Sequence, residues 1–223
     1  METIAVIDYG MGNLHSAVKA LQHVANDRNI HVKVVNNKAD LANAHRVVFP
    51  GVGAIGYCMM ELQKLDLVDA IKDAIANKPV LAICVGMQAL LEFSEENDGV
   101  ACLGVLPGQV KHFLPVFEQQ QLLPALKIPH MGWNQVTQVK SHPMWQAIPQ
   151  DSRFYFVHSY FVELSASEQV VGQTDYGVAF TAAAAIDNLF AVQFHPEKSQ
   201  HAGLQLLSNF IHWNGEVSAI ENV

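Results

Sequence analysis

The segment Val80-Leu81-Ala82-Ile83-Cys84-Val85-Gly86-Met87-Gln88 carries a short apolar run into a nucleophile-capable side chain, with small residues two before it and two after it. That spacing is the pattern of a nucleophile elbow. The strand-to-helix turn is so tight that bulk at Ala82 or Gly86 would collide, and the nucleophile is thrust above the sheet. The start of the following helix carries partial positive charge, which favours a thiolate over a thiol. A free cysteine is also a common buried small hydrophobe, so the elbow alone leaves both roles open for Cys84. Cys58, Cys84 and Cys102 are odd in number and widely spaced. With no C-x-x-C pair, they support neither a disulfide framework nor a zinc knuckle, and neither a metal nor a cofactor is expected.

A cysteine nucleophile needs a base, and the chain holds 11 histidines. Phe190-Ala191-Val192-Gln193-Phe194-His195-Pro196-Glu197 narrows them. Phe190, Val192 and Phe194 alternate onto one face of a strand, so His195 points to the other face, where Pro196 stops the ladder. Glu197 can return to the same side and orient the imidazole, completing nucleophile, base and carboxylate. In isolation His195 would read as a surface histidine beside a proline; paired with the elbow it becomes the expected base.

The elements that must position these groups follow from periodicity. Ile4 to Asp8 is a short strand ending in the turn Gly10-Met11-Gly12-Asn13, where Asn13 can cap a helix carrying Leu14, Val18, Leu21 and Val24 on one face. His31 to Val35 and Arg46 to Phe49 are further strands, and Met59 to Ala76 has helical spacing throughout. Val80 to Ile83 is the fourth strand, with a helix from about Gly86 to Glu92. Strands alternating with helices predict a mostly parallel sheet covered on both faces. After about Leu103 strands dominate: Phe154 to Val162, Val178 to Ala184 and Leu189 to Phe194, with a hairpin turn at Asp187-Asn188. A helix over Ala202 to Trp213 closes the chain. Neither repeats nor linkers divide it, so residues 1–223 are expected to form one domain.

Gly51-Val52-Gly53-Ala54-Ile55-Gly56 matches a dinucleotide fingerprint letter for letter. Its context argues otherwise. Pro50 precedes the first glycine, the loop follows the third strand, and the next strand ends at Cys84 where a ribose-binding carboxylate is needed. What remains is a tight turn whose backbone N–H groups can face a ligand.

Composition limits the partners. A formal net charge of −8, with 13 Lys and Arg and no basic block, leaves nothing to neutralise a phosphate backbone, so nucleic acid is excluded. The longest apolar stretches fall far short of the ~20 residues of a spanning helix. With no signal-peptide pattern at the start either, no membrane association is expected, and a cytoplasmic location is. Only 15% of residues are charged and 50% are hydrophobic, which calls for a large core or for apolar surface kept for a partner.

The elbow Ile83-Cys84-Val85-Gly86-Met87-Gln88 together with Phe194-His195-Pro196-Glu197 resembles the class I, triad-type glutamine amidotransferases. Asp8-Tyr9-Gly10-Met11-Gly12-Asn13, Pro50-Gly51-Val52-Gly53 and Pro129-His130-Met131-Gly132-Trp133-Asn134 narrow the resemblance to the glutaminase subunits of imidazole glycerol phosphate synthases, over essentially the whole chain. Ala82 departs from the glycine usual in the family, but is small enough to keep the elbow. The resemblance implies an α/β fold of the class I amidotransferase, flavodoxin-like type, with Cys84, His195 and Glu197 as catalytic residues. It implies an oxyanion hole from the backbone N–H groups of Val52 and Val85, the glycines of the loop permitting the Val52 peptide to rotate. Gly51, Gly53, Gln88, Glu96, His158, Ser159 and Tyr160 would hold the substrate glutamine. A cyclase subunit with a (β/α)8 barrel would be the heterodimer partner, receiving ammonia through a contact involving Asn13, Met131, Trp133 and Lys198. Met131 and Trp133 taken alone suit a core as well; their Pro- and Gly-punctuated segment favours the interface. An amidotransferase serving another acceptor, such as the vitamin B6 pathway, and a subunit that only activates its partner are the alternatives.

Overall fold

A strand buried on both faces needs apolar residues at nearly every position, and the first half of the chain supplies three such runs, with a fourth, Ile30–Val35, that carries His31 and Lys33 as an edge strand does. In a computed structural model of the protein, which describes residues 2–10, 14–26 and 29–216, these become β1 (Glu2–Ile7), β2 (Ile30–Val35), β3 (Arg46–Gly51) and β4 (Val80–Cys84). Between them lie α1 (Leu14–Val24), α2 (Lys38–Ala42), α3 (Ile55–Lys64) and α4 (Val68–Asn77), and α5 (Val85–Gln88) follows β4 without a break. The strands pair in parallel in the order β2-β1-β3-β4. β4 is buried at all five of its positions. In an open sheet of this order ligands bind beyond the carboxyl ends of the strands. Gly51 and Cys84 close β3 and β4 there as register partners.

Two expected helices come out differently. The Met59 to Ala76 pattern is two helices, because the chain leaves α3 through Asp66 at φ 56. Leu67 N–H bonds to Leu62 C=O and Asp66 N–H to Gln63 C=O, the paired closure of a left-handed C-terminal stop. Both helices bury the same kind of face, Met59 and Leu62 on one, Ile71 and Ile75 on the other, so the apolar period runs through the break. The helix after Cys84 is a single turn rather than Gly86 to Glu92. Leu90 and Leu91 N–H reach back only three residues, to Met87 and Gln88 C=O, and Glu92 N–H turns away to Gly108 C=O, while the carbonyls of Ala89, Leu90 and Leu91 accept from Leu103, Val105 and Gly104.

The second half adds β5 (Phe93–Ser94), β6 (Val100–Ala101), β7 (Gly108–His112), α6 (Phe113–Gln119), β8 (His130–Gln135), β9 (Thr137–Gln138), β10 (Arg153–His158), β11 (Tyr160–Leu164), β12 (Val170–Asp175), β13 (Ala179–Ile186), β14 (Leu189–Val192) and α7 (Gln200–His212). β14 joins the sheet parallel to β4; beyond it β13, β11 and β7 continue antiparallel. The parallel part is therefore β2-β1-β3-β4-β14, and the rest of the sheet is mixed. The turn at Asp187-Asn188 joins β13 to β14, with Ile186 opposite Leu189. The extended run Phe154 to Val162 is two strands: β10 pairs with β8 in a separate ribbon, and β11 enters the main sheet. Strand β14 ends at Val192, short of the expected Phe194.

Buried apolar side chains from Ile4 to Trp213 make one contiguous cluster, which accounts for much of the hydrophobic content. Among the described residues no helix is long and apolar enough to cross a membrane.

Candidate active site

Cys84 is forced into its place by its neighbours. It sits between β4 and α5 at φ 55, ψ −112, a conformation that costs a residue with a Cβ on the order of 1–3 kcal/mol. Gly86 makes the turn possible: a Cβ there would stand 2.0 Å from the Phe49 carbonyl oxygen. Gly51 is equally confined, since its Cβ would stand 2.6 Å from both Gly86 N and the Tyr9 hydroxyl. Gly51 is thus buried in close packing, whereas Gly53 is exposed, at φ +86. Because α5 is one turn long, it offers at its Cys84 end its first N–H groups, which have no acceptor inside the helix, rather than a summed dipole.

His195 follows β14, anchored by its own N–H to Tyr155 C=O and by its C=O, which accepts from the Ser199 hydroxyl. Its Nδ1 lies 2.8 Å from Glu197 Oε1, both side chains being almost wholly covered. The other nitrogen, Nε2, is buried without a well-aligned hydrogen bond, and so is Glu197 Oε2. Burial alone would lower the pKa of His195. The Cys84 sulfur before it and the Glu197 carboxylate behind it outweigh burial and push the value up to about 10. The other cysteines are held as thiols: burial pushes Cys58 up to about 12, and burial with Glu96 nearby pushes Cys102 up to about 11.

A cavity of about 330 Å³ opens at Cys84, lined by Val52, Gly53, Val85, Gln88, Glu96, Pro129, Val157, His158, Ser159 and Tyr160. Every substrate and oxyanion candidate except Gly51 borders it. Three of them are already engaged. Gln88 places its amide nitrogen against Tyr160 C=O at 3.1 Å and Gln193 Oε1 at 3.0 Å, leaving its own oxygen. Glu96 Oε2 accepts from Ile55 N–H and so caps α3, whose preceding Ala54 supplies no side-chain cap. The imidazole of His158 is turned into the core: Nδ1 donates to Tyr160 C=O at 2.7 Å and Nε2 faces His130 Nδ1 at 3.0 Å, among Phe113, Phe156 and Phe180. Both ring nitrogens of His158 are thus engaged, although the residue itself borders the cavity.

A hollow of about 380 Å³ between α2 and α4, lined by Leu41, Ala70 and Ala74 with Lys38 and Asp73, brings no nucleophile and base together.

The model of the family "Glutamine amidotransferase class-I" matches residues 5–213. This chain belongs to the class I glutamine amidotransferases. Within that family, this amidotransferase is 55% identical over 215 residues to imidazole glycerol phosphate synthase subunit HisH 1 of Pseudomonas aeruginosa, covering 96% of this chain and 99% of that one. It is 56% identical over 215 residues to subunit HisH of Acinetobacter baylyi, covering 96% and 100%. Among solved structures, one described as a glutamine amidotransferase superposes with a TM-score of 0.69 at 15% identity, over 94% of this chain and 97% of that one. A glutamine amidotransferase from Thermotoga maritima gives 0.60 at 16% identity over 88% and 76%. At those identities the structures establish the amidotransferase fold alone.

Of the remaining positions of this amidotransferase, two face outward. Met131 and Trp133 alternate outward along β8, 61% and 42% exposed, so neither is a core residue. Lys198 closes the turn after Glu197 and makes no ion pair among the described residues. Asn13 lies outside the described residues. Two residues near Cys84 were missed from sequence. Tyr9 donates its hydroxyl to Pro50 C=O at 3.0 Å and fills the space beside Gly51; burial, with Cys58 and Cys84 nearby, holds its phenol well above the ordinary range. Gln193 touches the Cys84 sulfur. Its signal was available, since it shares the His195 face of the Phe190–Phe194 alternation.

Proposed function

We propose that the chain is the glutaminase subunit of an imidazole glycerol phosphate synthase. It hydrolyses glutamine to glutamate and ammonia, and passes the ammonia to a cyclase subunit making imidazole glycerol phosphate and an aminoimidazole carboxamide ribonucleotide in histidine biosynthesis. The single observation that carries the chemistry is Cys84 held at φ 55 at the mouth of a cavity, against a buried His195 backed by Glu197.

The Cys84 sulfur attacks the side-chain carboxamide carbon, and the pair of electrons displaced onto oxygen forms the tetrahedral intermediate. Protonated His195 gives its Nε2 proton to the departing ammonia, and the neutral ring then takes a proton from water as that water attacks the thioester. Val85 N–H, next after the nucleophile, is one oxyanion donor. Val52 N–H is the second once its peptide turns toward the cavity, with Gly53 as the pivot. One such donor is worth about 3 kcal/mol of transition-state stabilisation.

For the substrate's α-ammonium, the free amide oxygen of Gln88 and the Glu96 carboxylate are the available acceptors; Ser159 and Tyr160 face the α-carboxylate. The partner is a (β/α)8 barrel, docked on the outward face of β8 through Met131 and Trp133, with Asn13 and Lys198 at its edge. The chain works as one domain in the cytoplasm, without a cofactor.

Glutamate release measured with the purified cyclase and its ligand tests this. Cys84→Ala should abolish it while ammonia-dependent synthesis by the complex survives; loss of both would make Cys84 structural.

A further inference from the structure

The Cys84 sulfur has a second polar neighbour that the steps above do not use. Gln193 is fully buried, with its Nε2 3.7 Å from Cys84 Sγ and its Oε1 3.0 Å from Gln88 Nε2. Which end of an amide is nitrogen has to be settled by its partners. Here the Tyr160 carbonyl settles it, because a carbonyl oxygen can only accept. The Gln88 atom 3.1 Å from that oxygen must be the NH2 group. The same group faces Gln193, whose facing atom must then be oxygen, and so the end of Gln193 against the sulfur carries the hydrogens.

The other side of the Tyr160 carbonyl gives a consistent assignment. His158 Nδ1 donates to it at 2.7 Å, which leaves Nε2 of the neutral ring to accept from His130 Nδ1 at 3.0 Å. Each of the two lone pairs of Tyr160 O thus has one donor, and every amide and tautomer from His130 to Gln193 is determined. A fully buried glutamine carries a desolvation cost that an apolar residue would avoid.

We infer that Gln193 donates a hydrogen bond to the Cys84 sulfur, holding it opposite His195 and favouring the thiolate; the inference rests on Cys84 being the nucleophile proposed above. A donor bonds a charged acceptor more strongly than a neutral one, so the contact strengthens as the sulfur loses its proton.

The test is the pH dependence of Cys84 alkylation by iodoacetamide in the complex with the cyclase, with Cys84→Ala as the blank for Cys58 and Cys102. Gln193→Glu keeps the shape and the acceptor for Gln88 but puts an oxygen against the sulfur. Its alkylation midpoint should move up by about one pH unit or more, and glutamine turnover should fall about ten- to a hundred-fold, with ammonia-dependent synthesis unchanged. Gln193→Met, which fills the space without a donor or a charge, should move both in the same direction and serves if the glutamate variant does not fold. Wild-type alkylation and turnover in the folded variants would overturn the inference. If Cys84→Ala still hydrolyses glutamine, the nucleophile assignment itself fails instead.

Discussion

Glu197 Oε1 lies 2.8 Å from Nδ1 of His195, and this contact decides which imidazole nitrogen meets Cys84. With Nδ1–H donating to the carboxylate, only Nε2 is left to face the sulfur. The carboxylate also helps to keep the ring protonated inside a site where burial would strip the proton away.

Replacing the charge while keeping the shape isolates that effect. Glu197→Gln should leave the fold and partner binding intact and reduce glutamine turnover about ten- to a thousand-fold, by loosening ring orientation and charge stabilisation together. Steady-state glutamate release by the complex reads this directly; near-native turnover would remove Glu197 from the mechanism.

The elbow makes a stability prediction. In Gly86→Ala the added methyl would have to displace the Phe49 carbonyl, part of the β3 backbone, from 2.0 Å. A loss of about 3 kcal/mol or more is expected in denaturant unfolding, at the upper end for overpacked sites, together with loss of glutaminase activity. A variant as stable as the parent would mean that the turn is not packed this way.

Acid should destabilise the chain before its carboxylates titrate. Burial pushes His130 and His142 down to about 4 and His158 down to about 3. Below about pH 6.5 the unfolded chain binds protons at these positions that the folded chain refuses, so stability falls as pH falls toward 4. The expected loss between pH 7 and 5 is on the order of 2 kcal/mol per histidine. His195 has the opposite sign: its raised pKa contributes stability that is fully present below about pH 6.5 and declines as pH rises through the alkaline range. Urea unfolding at pH 5, 7 and 9 should therefore show a maximum near neutrality; equal stability at pH 5 and 7 would contradict the buried neutral ring pair.

Trp133 stands 42% exposed on β8, in a T-shaped contact with Tyr155, ring centroids 6.1 Å apart. Trp133→Ala should change the melting temperature of the isolated chain little, yet weaken association with the cyclase by about ten-fold or more, as truncating a central aromatic does. Titration calorimetry with the purified cyclase distinguishes this from a buried role, in which the melting temperature would drop instead.

The sequence by itself determined the parallel core and the elbow, because both are local. Apolar runs at Ile4, Arg46 and Val80 can only be strands buried on two faces, and Ala82, Cys84 and Gly86 set a turn by their sizes alone. It also named His195 and Glu197, since alternation and proximity along the chain put both on one side. Tertiary structure decided the rest. Asp66 stops a helix whose apolar period gives no warning, and Glu92 N–H, which would have lengthened α5, turns away to Gly108 C=O. His158 lies in the segment expected to hold substrate, yet its ring is claimed by His130 and by the carbonyl of Tyr160. Gln193 and Gln88 are 105 positions apart, and the nitrogen end of Gln193 faces Cys84 only because a third residue's carbonyl can do nothing but accept. Spacing reports which face a side chain takes, whereas the donor and acceptor roles of buried polar groups depend on partners that only folding brings within about 3 Å.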